Sequence, residues 1–441
     1  MPLLQDRTRT RESSAAPGTT PGSRSSSEPT SAAALSASAL GTIVLITAIA
    51  PLATDMYVPA FPLVDRDLDA SATQVQLTLT TFFVGMALGQ LVGGPFSDRV
   101  GRRRPLLAAL AALGFASVVC AFSPTVPVMM AARLVQGFAG GWAMVIARSV
   151  VVDLTDGARM VRAMNVVAAV AGTAPVVGPL LGALVLSVSH WRVSFWVVAA
   201  LAAVMLAAVA LKMPESLPIE RRHAGGLGRL LGATGEVLSS RVFSGHLVVF
   251  AFSMGTTFAY VATSAYVLQS MNGLTPLQYS VDFAVNAAGM TAAAVVAARY
   301  ADRVRARLFV KVGLAATGVA GGVLAVGAVW FSMPLGVALV GFFVLMTAQG
   351  LVGPNAGALA SAAVPEHPGT GSALLGFLQW VMAGTIAPLA GLGGEDTAVP
   401  MATIVLVLTG ASAVAYLAAG TSRAPSPVPA AAGPDTAGDD H

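Results

Sequence analysis

Charge is what this sequence has least of. Only 10% of its 441 residues are Asp, Glu, Lys or Arg, against 55% hydrophobic ones, and the mean hydropathy is +0.75. A soluble domain carries about 25% charged residues, so most of this chain's surface does not face water. Cysteine is nearly missing: Cys120 stands alone in an apolar run, which excludes a disulfide framework and a cysteine metal site. The only lysines are Lys212 and Lys311, and neither follows a glycine. The Gly-Lys-Ser/Thr turn with which an ATP-driven pump cradles phosphate is therefore absent. His190, His223, His246, His367 and His441 fall in loops, near helix ends or at the terminus, with no ligand spacing. No Ser/His/Asp constellation is present either. A membrane enzyme is disfavoured, and no metal, cofactor or nucleic acid is called for.

What is there is a series of long apolar runs. A hydrocarbon core of roughly 30 Å takes about 20 apolar residues per helix. Spans can be read near 38–60, 75–97, 105–122, 126–152, 163–187 and 193–212. After a polar stretch from Pro214 to Arg241, six more follow near 243–269, 278–299, 308–330, 334–363, 371–392 and 399–419. The expected protein is an all-α membrane protein with twelve transmembrane helices. Residues 1–37 form a disordered tail, 38–213 a first six-helix bundle, 214–241 a central loop, 242–420 a second bundle and 421–441 another disordered tail. Both tails are rich in Pro, Ala and Gly, compositions that cannot bury enough apolar surface to order a backbone. Arg7, Arg9 and Arg11 ahead of an apolar run also fit a signal peptide, but that run is long enough to span.

The few charges alternate from loop to loop. Arg99, Arg102, Arg103 and Arg104 fill the second loop, Arg159 and Arg162 the fourth. Lys212, Arg221, Arg222, Arg229 and Arg241 occupy the central one, and Arg299, Arg303, Arg305, Arg307 and Lys311 surround the eighth. These even-numbered loops hold 16 basic residues, whereas the odd-numbered ones hold Arg66 and Arg192. Basic loops stay in the cytoplasm, which places both termini there and makes the number of spans even.

A weak internal repeat runs through the chain. Ala53-Thr54-Asp55-Met56-Tyr57-Val58 aligns with Ala262-Thr263-Ser264-Ala265-Tyr266-Val267. Gly85, Asp98, Arg99, Val100 and Arg103 meet Gly289, Asp302, Arg303, Val304 and Arg307; Gln136-Gly137 meets Gln349-Gly350; Pro179 and Gly182 meet Pro388 and Gly391. Two related halves with a site at the midplane between them is an arrangement used for alternating access. A duplication kept only for folding is the alternative.

Asp55 lies inside the first span, where a charge costs a few kcal/mol and is a functional candidate by default. A carboxyl there is placed to load and release a proton; an interfacial acid that merely reaches water is the other possibility. Arg133 is its natural partner. At 1.5 Å per residue Asp55 stands about 21 Å up the first helix, and Arg133 about 9 Å below the opposite edge of the fourth, depths that coincide in a 30 Å core. Arg133 can also be a purely structural clamp. Arg148 and Asp153 fall near the cytoplasmic interface, where Arg148 can snorkel to water. Between the second and third spans, Gly89 to Arg103 contains Gly94, Asp98, Arg99, Gly101, Arg102 and Arg103. Its small residues allow close helix packing, and Asp98 is expected to hold an inner gate by facing the positive end of the eleventh helix. In the fifth span, Pro175, Gly178, Pro179 and Gly182 interrupt a regular hydrogen-bond ladder and predict a bend.

These segments resemble those of a known family. The Gly89–Arg103 segment is similar to the signature of the major facilitator superfamily, Arg133-Leu134-Val135-Gln136-Gly137 to its fourth-helix motif, and Gly178-Pro179-Leu180-Leu181-Gly182 to the fifth-helix motif of drug:proton antiporters. Ala53 to Pro62, Tyr260 to Gln269 and the run from Gly353-Pro354-Asn355 to Ala373 resemble the bicyclomycin/chloramphenicol-resistance subfamily. The resemblance covers residues 38 to 420. It implies two pseudo-symmetric six-helix bundles and a monomeric antiporter of the inner (plasma) membrane, which exports amphipathic drugs such as amphenicols or bicyclomycin-like compounds in exchange for protons. Asp55 and Arg133 are then the coupling residues. Met56, Tyr57, Tyr260, Tyr266 and Asn286 are candidate lining residues of the drug cavity, with simple helix packing as the alternative for each. Thr47 stands where some relatives carry a second acid, and Ala174 and Ala183 where the fifth-helix motif often has Gly. One carboxylate must then serve both proton and drug, which favours neutral or weakly charged substrates. The competing function is a proton-coupled exporter or importer of a small metabolite. Importers generally set charged or hydrogen-bonding residues in both halves, whereas Asp282 and Arg299 are expected at opposite ends of the eighth helix, with no well-buried charge in the second half.

Overall fold

A computed structural model describes residues 36–222 and 234–420. The two tails, His223, Arg229 and the middle of the central loop lie outside the described residues. Among the described residues, twelve helices are long and apolar enough to cross a bilayer. They are α1 (Ala37–Asp67), α2 (Ala72–Val100), α3 (Arg103–Phe122), α4 (Val126–Leu154), α5 (Gly157–Val188), α6 (Arg192–Lys212), α7 (Arg241–Met271), α8 (Pro276–Arg299), α9 (Ala306–Trp330), α10 (Leu335–Ala362), α11 (Gly369–Ala390) and α12 (Val399–Ala418). Large apolar side chains such as Phe115, Val188, Leu211 and Leu417 stand exposed on the outside. A soluble protein does not tolerate such a surface; lipid covers it.

The helices divide into two bundles. In the first, α2 packs on α4, α3 on α4 and α6, and α1 on α4, α5 and α6. In the second, α10 packs on α7, α8 and α9, α12 on α7 and α9, and α11 on α7. Two contacts dominate between them, α2 with α11 and α5 with α8, which exchange under the pseudo-symmetry.

The repeat is visible in the joints themselves. Ser71 opens α2 with a capping box completed by Gln74, and Thr275 opens α8 with one completed by Gln278, each satisfying two otherwise orphaned backbone donors. Gly137 lets α4 rest on the backbone of Phe82, where an added Cβ would come within 2.8 Å of its carbonyl carbon. Gly350 does the same for α10 on Met290, at 2.9 Å.

Two span ends depart from the sequence reading. The regular helix of α1 stops at Asp55 rather than near residue 60; a 3-10 turn (Val58–Ala60) and a short helix (Phe61–Asp67) follow. Pro59 and Pro62 lack the N–H donors a continuous helix needs there. At the corresponding place α7 loosens into a π-helix over Tyr266–Met271. The fifth helix, by contrast, continues unbroken through Pro175 and Pro179.

Most hydrogen bonds that cross between the bundles gather at the end of the molecule that holds Asp65; one from Thr291 Oγ1 to Gly172 O (3.3 Å), between α8 and α5, lies deeper. Gln76 Nε2 donates to Ala262 O (3.0 Å), Thr73 Oγ1 to Gly391 O (3.1 Å), Gln269 Nε2 to Pro59 O (3.1 Å) and Tyr266 Oη to Asp65 Oδ1 (3.0 Å). Phe61 and Tyr266 stack across the same seam with centroids 5.9 Å apart. The seam closes this end.

Candidate functional site

Between the bundles lies a cavity of about 240 Å³. From the first bundle it is lined by Thr47, Pro51, Asp55, Met144, Arg148 and Pro175, from the second by Thr257, Phe258, Tyr260, Met290, Gln379 and Trp380 among others. The wall is mostly apolar and aromatic with a few polar groups, the composition of a small-molecule pocket.

Asp55 reaches this cavity because the α-helix of α1 ends there, and its carboxylate Oδ1 accepts from Thr54 Oγ1 (3.0 Å). Only 6% of the residue remains exposed. The fifth helix comes up behind it: a Cβ on Gly178 would fall 2.8 Å from the Asp55 Cβ, and one on Gly182 2.9 Å from the Met56 carbonyl carbon. Pro175, Gly178 and Gly182 thus lie on the face of α5 that fits the acid-bearing turn of α1. Any larger residue at 178 or 182 forces the two helices apart.

Arg133 is fully buried, but the structure does not pair it with Asp55. Its Nη1 donates to Ala53 O (3.1 Å) and Gln136 Oε1 (2.7 Å), and its guanidinium lies over the rings of Phe82 (4.4 Å), Tyr57 (5.0 Å) and Phe195 (5.6 Å). Nε and Nη2 have no hydrogen-bonding partner in the protein. Three aromatic faces stand in for a counter-ion. Equal depth permitted the expected ion pair; the direction in which Arg133 leaves α4 precludes it, since it points between α1, α2 and α6 and not into the cavity.

Of the five candidate lining residues, Tyr260 alone lines the cavity. Met56 packs with Ala48, Leu52 and Ala174 against α5. Tyr57 lies inside the first bundle, 3.0 Å from Thr78 Oγ1 and stacked on Phe61 and Phe195. Tyr266 belongs to the seam. Asn286 stands one shell back, where its Nδ2 donates to Tyr260 Oη (2.9 Å) and Asp282 Oδ2 (2.8 Å). Asp282 is half-buried in that network, near the start of α8, with Arg299 at its other end.

The sequence reading missed Arg148, Gln379 and Trp380 as lining residues. Arg148 had a usable signal: it follows Arg133 by 15 residues, about four turns of helix, and it faces the cavity rather than simply reaching the interface. Trp380 carried none. It meets Phe83 of the first bundle (centroids 5.7 Å) and Phe258 of the second (5.9 Å), and Phe83 meets Phe258 at 4.7 Å. The three rings close the flank of the cavity between α2, α7 and α11.

At the opposite end from Asp65, the Gly94–Arg103 segment is built around Arg102. Its guanidinium pairs with Asp98 (2.6 Å) and Asp153 (3.0 Å) and donates to Ser97 Oγ (2.6 Å). Gly101 turns the chain at φ +101°, a region L side chains rarely adopt. Glu215 then caps α3, accepting from the backbone N–H of Arg102 (2.6 Å) and Arg103 (3.2 Å). Arg103 Nη2 donates to Ala210 O (2.6 Å). The expected approach of Asp98 to the eleventh helix is replaced here by its pairing with Arg102. Asp153 is part of this cluster and also accepts from Ser216 Oγ (3.1 Å).

Residues 43–388 match the sequence profile of the Major Facilitator Superfamily. The chain is 31% identical over 374 residues to an uncharacterized MFS-type transporter, YdgK, of Bacillus subtilis, covering 84% of this chain and 92% of that one. It is 29% identical over 364 residues to the bicyclomycin resistance protein homolog of Haemophilus influenzae, covering 82% and 90%. Among solved structures, the bacterial homolog of the human lysosomal transporter Spinster, in an inward-facing and unoccupied conformation, superposes with a TM-score of 0.69 over 86% of this chain and 96% of that one, at 15% identity.

Proposed function

This chain belongs to the major facilitator superfamily, and we propose that it works as a proton-coupled exporter of small amphipathic compounds, drugs among them, across the plasma membrane. The alternating arginines place both termini and the Arg102 end in the cytoplasm, so the Asp65 end faces outward. With its outer seam closed, the protein rests facing inward.

One observation carries the proposal. Asp55 is an almost buried carboxyl group on the wall of a mostly apolar cavity that both bundles share, with no ion-pair partner among the described residues. An ionised carboxylate in such a place is costly unless something compensates it, so a proton and a bound guest are alternatives for relieving the same site. The guest enters from the cytoplasmic side and fills the space between α1, α5, α7 and α11. Rocking of the bundles then exposes Asp55 to the outside, where it takes a proton as the guest leaves; the return step carries that proton inward. Arg133 acts from behind. Its bond to Ala53 O fixes the turn from which Asp55 projects, so it positions the acid without pairing with it. The likeness to a bicyclomycin resistance protein homolog supports drugs as substrates, and the single acid on the cavity wall favours neutral or weakly basic ones. The protein works as a monomer.

The test is drug efflux from cells, and uptake into inverted vesicles, over a panel that includes amphenicols and bicyclomycin. Wild-type protein lowers drug accumulation, and a protonophore removes the effect. Asp55→Asn, inserted at normal levels, loses drug transport against the gradient by about 5–150-fold, the range of a typical coupling free energy. Wild-type export by that variant, or export that survives collapse of the proton gradient, overturns the proposal.

A further inference from the structure

The cavity between the bundles holds polar groups that the protein itself leaves unused. Thr47 and Thr257 donate to carbonyls one turn back (2.9 and 3.1 Å), and Tyr260 Oη accepts from Asn286. Arg148 is different. It stands about 9 Å from the inner end of α4 at Leu154, at 1.5 Å per residue. Among the described residues its guanidinium has no hydrogen-bond acceptor, no carboxylate and no aromatic face, and it is exposed where it lines the cavity. The next acid along α4, Asp153, is already held by Arg102 (3.0 Å) and Ser216 (3.1 Å). Gln379, on α11 of the second bundle, lines the same cavity and also makes no hydrogen bond among the described residues. The two arginines of α4 thus divide: Arg133 is shielded among rings, and Arg148 is open to a guest.

A guanidinium presents its N–H donors in a planar, rigid fork, and an unpaired one at membrane depth is costly. Asp55 shares the wall, so with its carboxyl ionised the cavity holds one charge of each sign. A neutral guest keeps that balance, whereas an anion leaves one negative charge uncompensated. We propose that Arg148 is a specificity-determining residue, which selects neutral aromatic guests with a planar hydrogen-bond acceptor (a ketone, amide or nitro group) at one end and a donor at the other. The acceptor meets the fork of Arg148. The donor meets Asp55, whose carboxylate accepts from Thr54 alone among the described residues. The ring lies against the apolar wall that Phe258 and Trp380 provide. Protonation of Asp55 upsets both the charge balance and the donor's acceptor, so it loosens this guest. The inference rests on the cavity being the guest site, as proposed above, and it narrows the cargo to one class.

The experiment is calorimetric binding to purified full-length protein in detergent at neutral pH, with a matched set of probes. They are 6-acetyl-2-naphthol, its analogue with a methylidene group in place of the carbonyl oxygen, its methyl ether and 6-hydroxy-2-naphthoate. The parent should bind the ketone about tenfold or more tightly than the methylidene analogue, the worth of a hydrogen bond to a charged group. Arg148→Met should lose that preference while its affinity for the methylidene analogue is unchanged; a merely structural arginine would weaken both alike. Arg148→Lys keeps the charge without the fork and should recover part of the preference. The methyl ether, with its donor capped, should bind the parent more weakly than the naphthol. Equal affinity of the parent for ketone and methylidene analogue, or equal losses in Arg148→Met, overturns the assignment. If Arg148→Met does not fold, the parent's preference and Arg148→Lys decide it. Tighter binding of the naphthoate than of the ketone overturns the neutral class, and a methyl ether that binds as well as the naphthol overturns the Asp55 end. Binding needs no proton gradient, so the two readings fail separately. Wild-type export by Asp55→Asn sinks the coupling and leaves the selectivity of Arg148 standing. Proton-driven export by a parent that cannot tell the analogues apart sinks Arg148 alone.

Discussion

In the first bundle, Gln136 of α4 donates to Ser117 on α3 (2.7 Å) and accepts from Arg133; in the second, Gln349 of α10 donates to Thr317 on α9 (2.9 Å) and accepts from Ser253 on α7 (2.6 Å). The joint is the same and its third member is different. Where the first half places Arg133, the repeat places Met346, a cavity-lining residue; where it places Asp55, the repeat places Ser264, 3.0 Å from Tyr279 Oη. Backbone contacts and caps have been kept in duplicate, whereas the buried arginine and the cavity acid belong to one half. The framework is duplicated; the buried charges are not.

That contrast can be attacked at several points. Arg133→Ala removes a large side chain from between three rings and should cost about 2–5 kcal/mol of stability. Met346→Leu, a volume-conserving exchange at the matching place, should cost under about 1.5 kcal/mol. Thermal unfolding in detergent compares the two, and equal losses would erase the distinction. Gly137→Val and Gly350→Val should each lose about 1–3 kcal/mol by overpacking a helix on its neighbour's backbone. Here the halves should match, and a loss in one alone would mean the repeat is not shared framework. A last contrast is expected at the glutamines. Gln136→Leu deprives the buried guanidinium of an acceptor, at about 1.5–3 kcal/mol, while Gln349→Leu breaks bonds between neutral groups, at about 1 kcal/mol each.

The fold was legible because its signals are additive: a shortage of charge over whole segments, and arginines that recur in every second loop. Asp55 was legible for the same reason, as an acid where acids are expensive. Its neighbours were not. Successive helical residues differ by about 100° in direction, so Asp55, Met56 and Tyr57 cannot all face one cavity, and depth along a helix says nothing of that direction. Arg133 was placed at the right level and on the wrong side.

The three rings of Phe83, Phe258 and Trp380 have an energetic corollary. Aromatic pairs of this kind are worth about 0.5–1.5 kcal/mol each beyond the area they bury, and any motion that draws α2 away from α7 and α11 forfeits the two that bridge the bundles. A flat, greasy guest lodged beside Trp380 can restore part of what is lost by offering a replacement ring. Cargo of that shape would then ease the very rearrangement that carries it, whereas a compact polar solute of equal affinity would leave the motion as slow as in the empty protein.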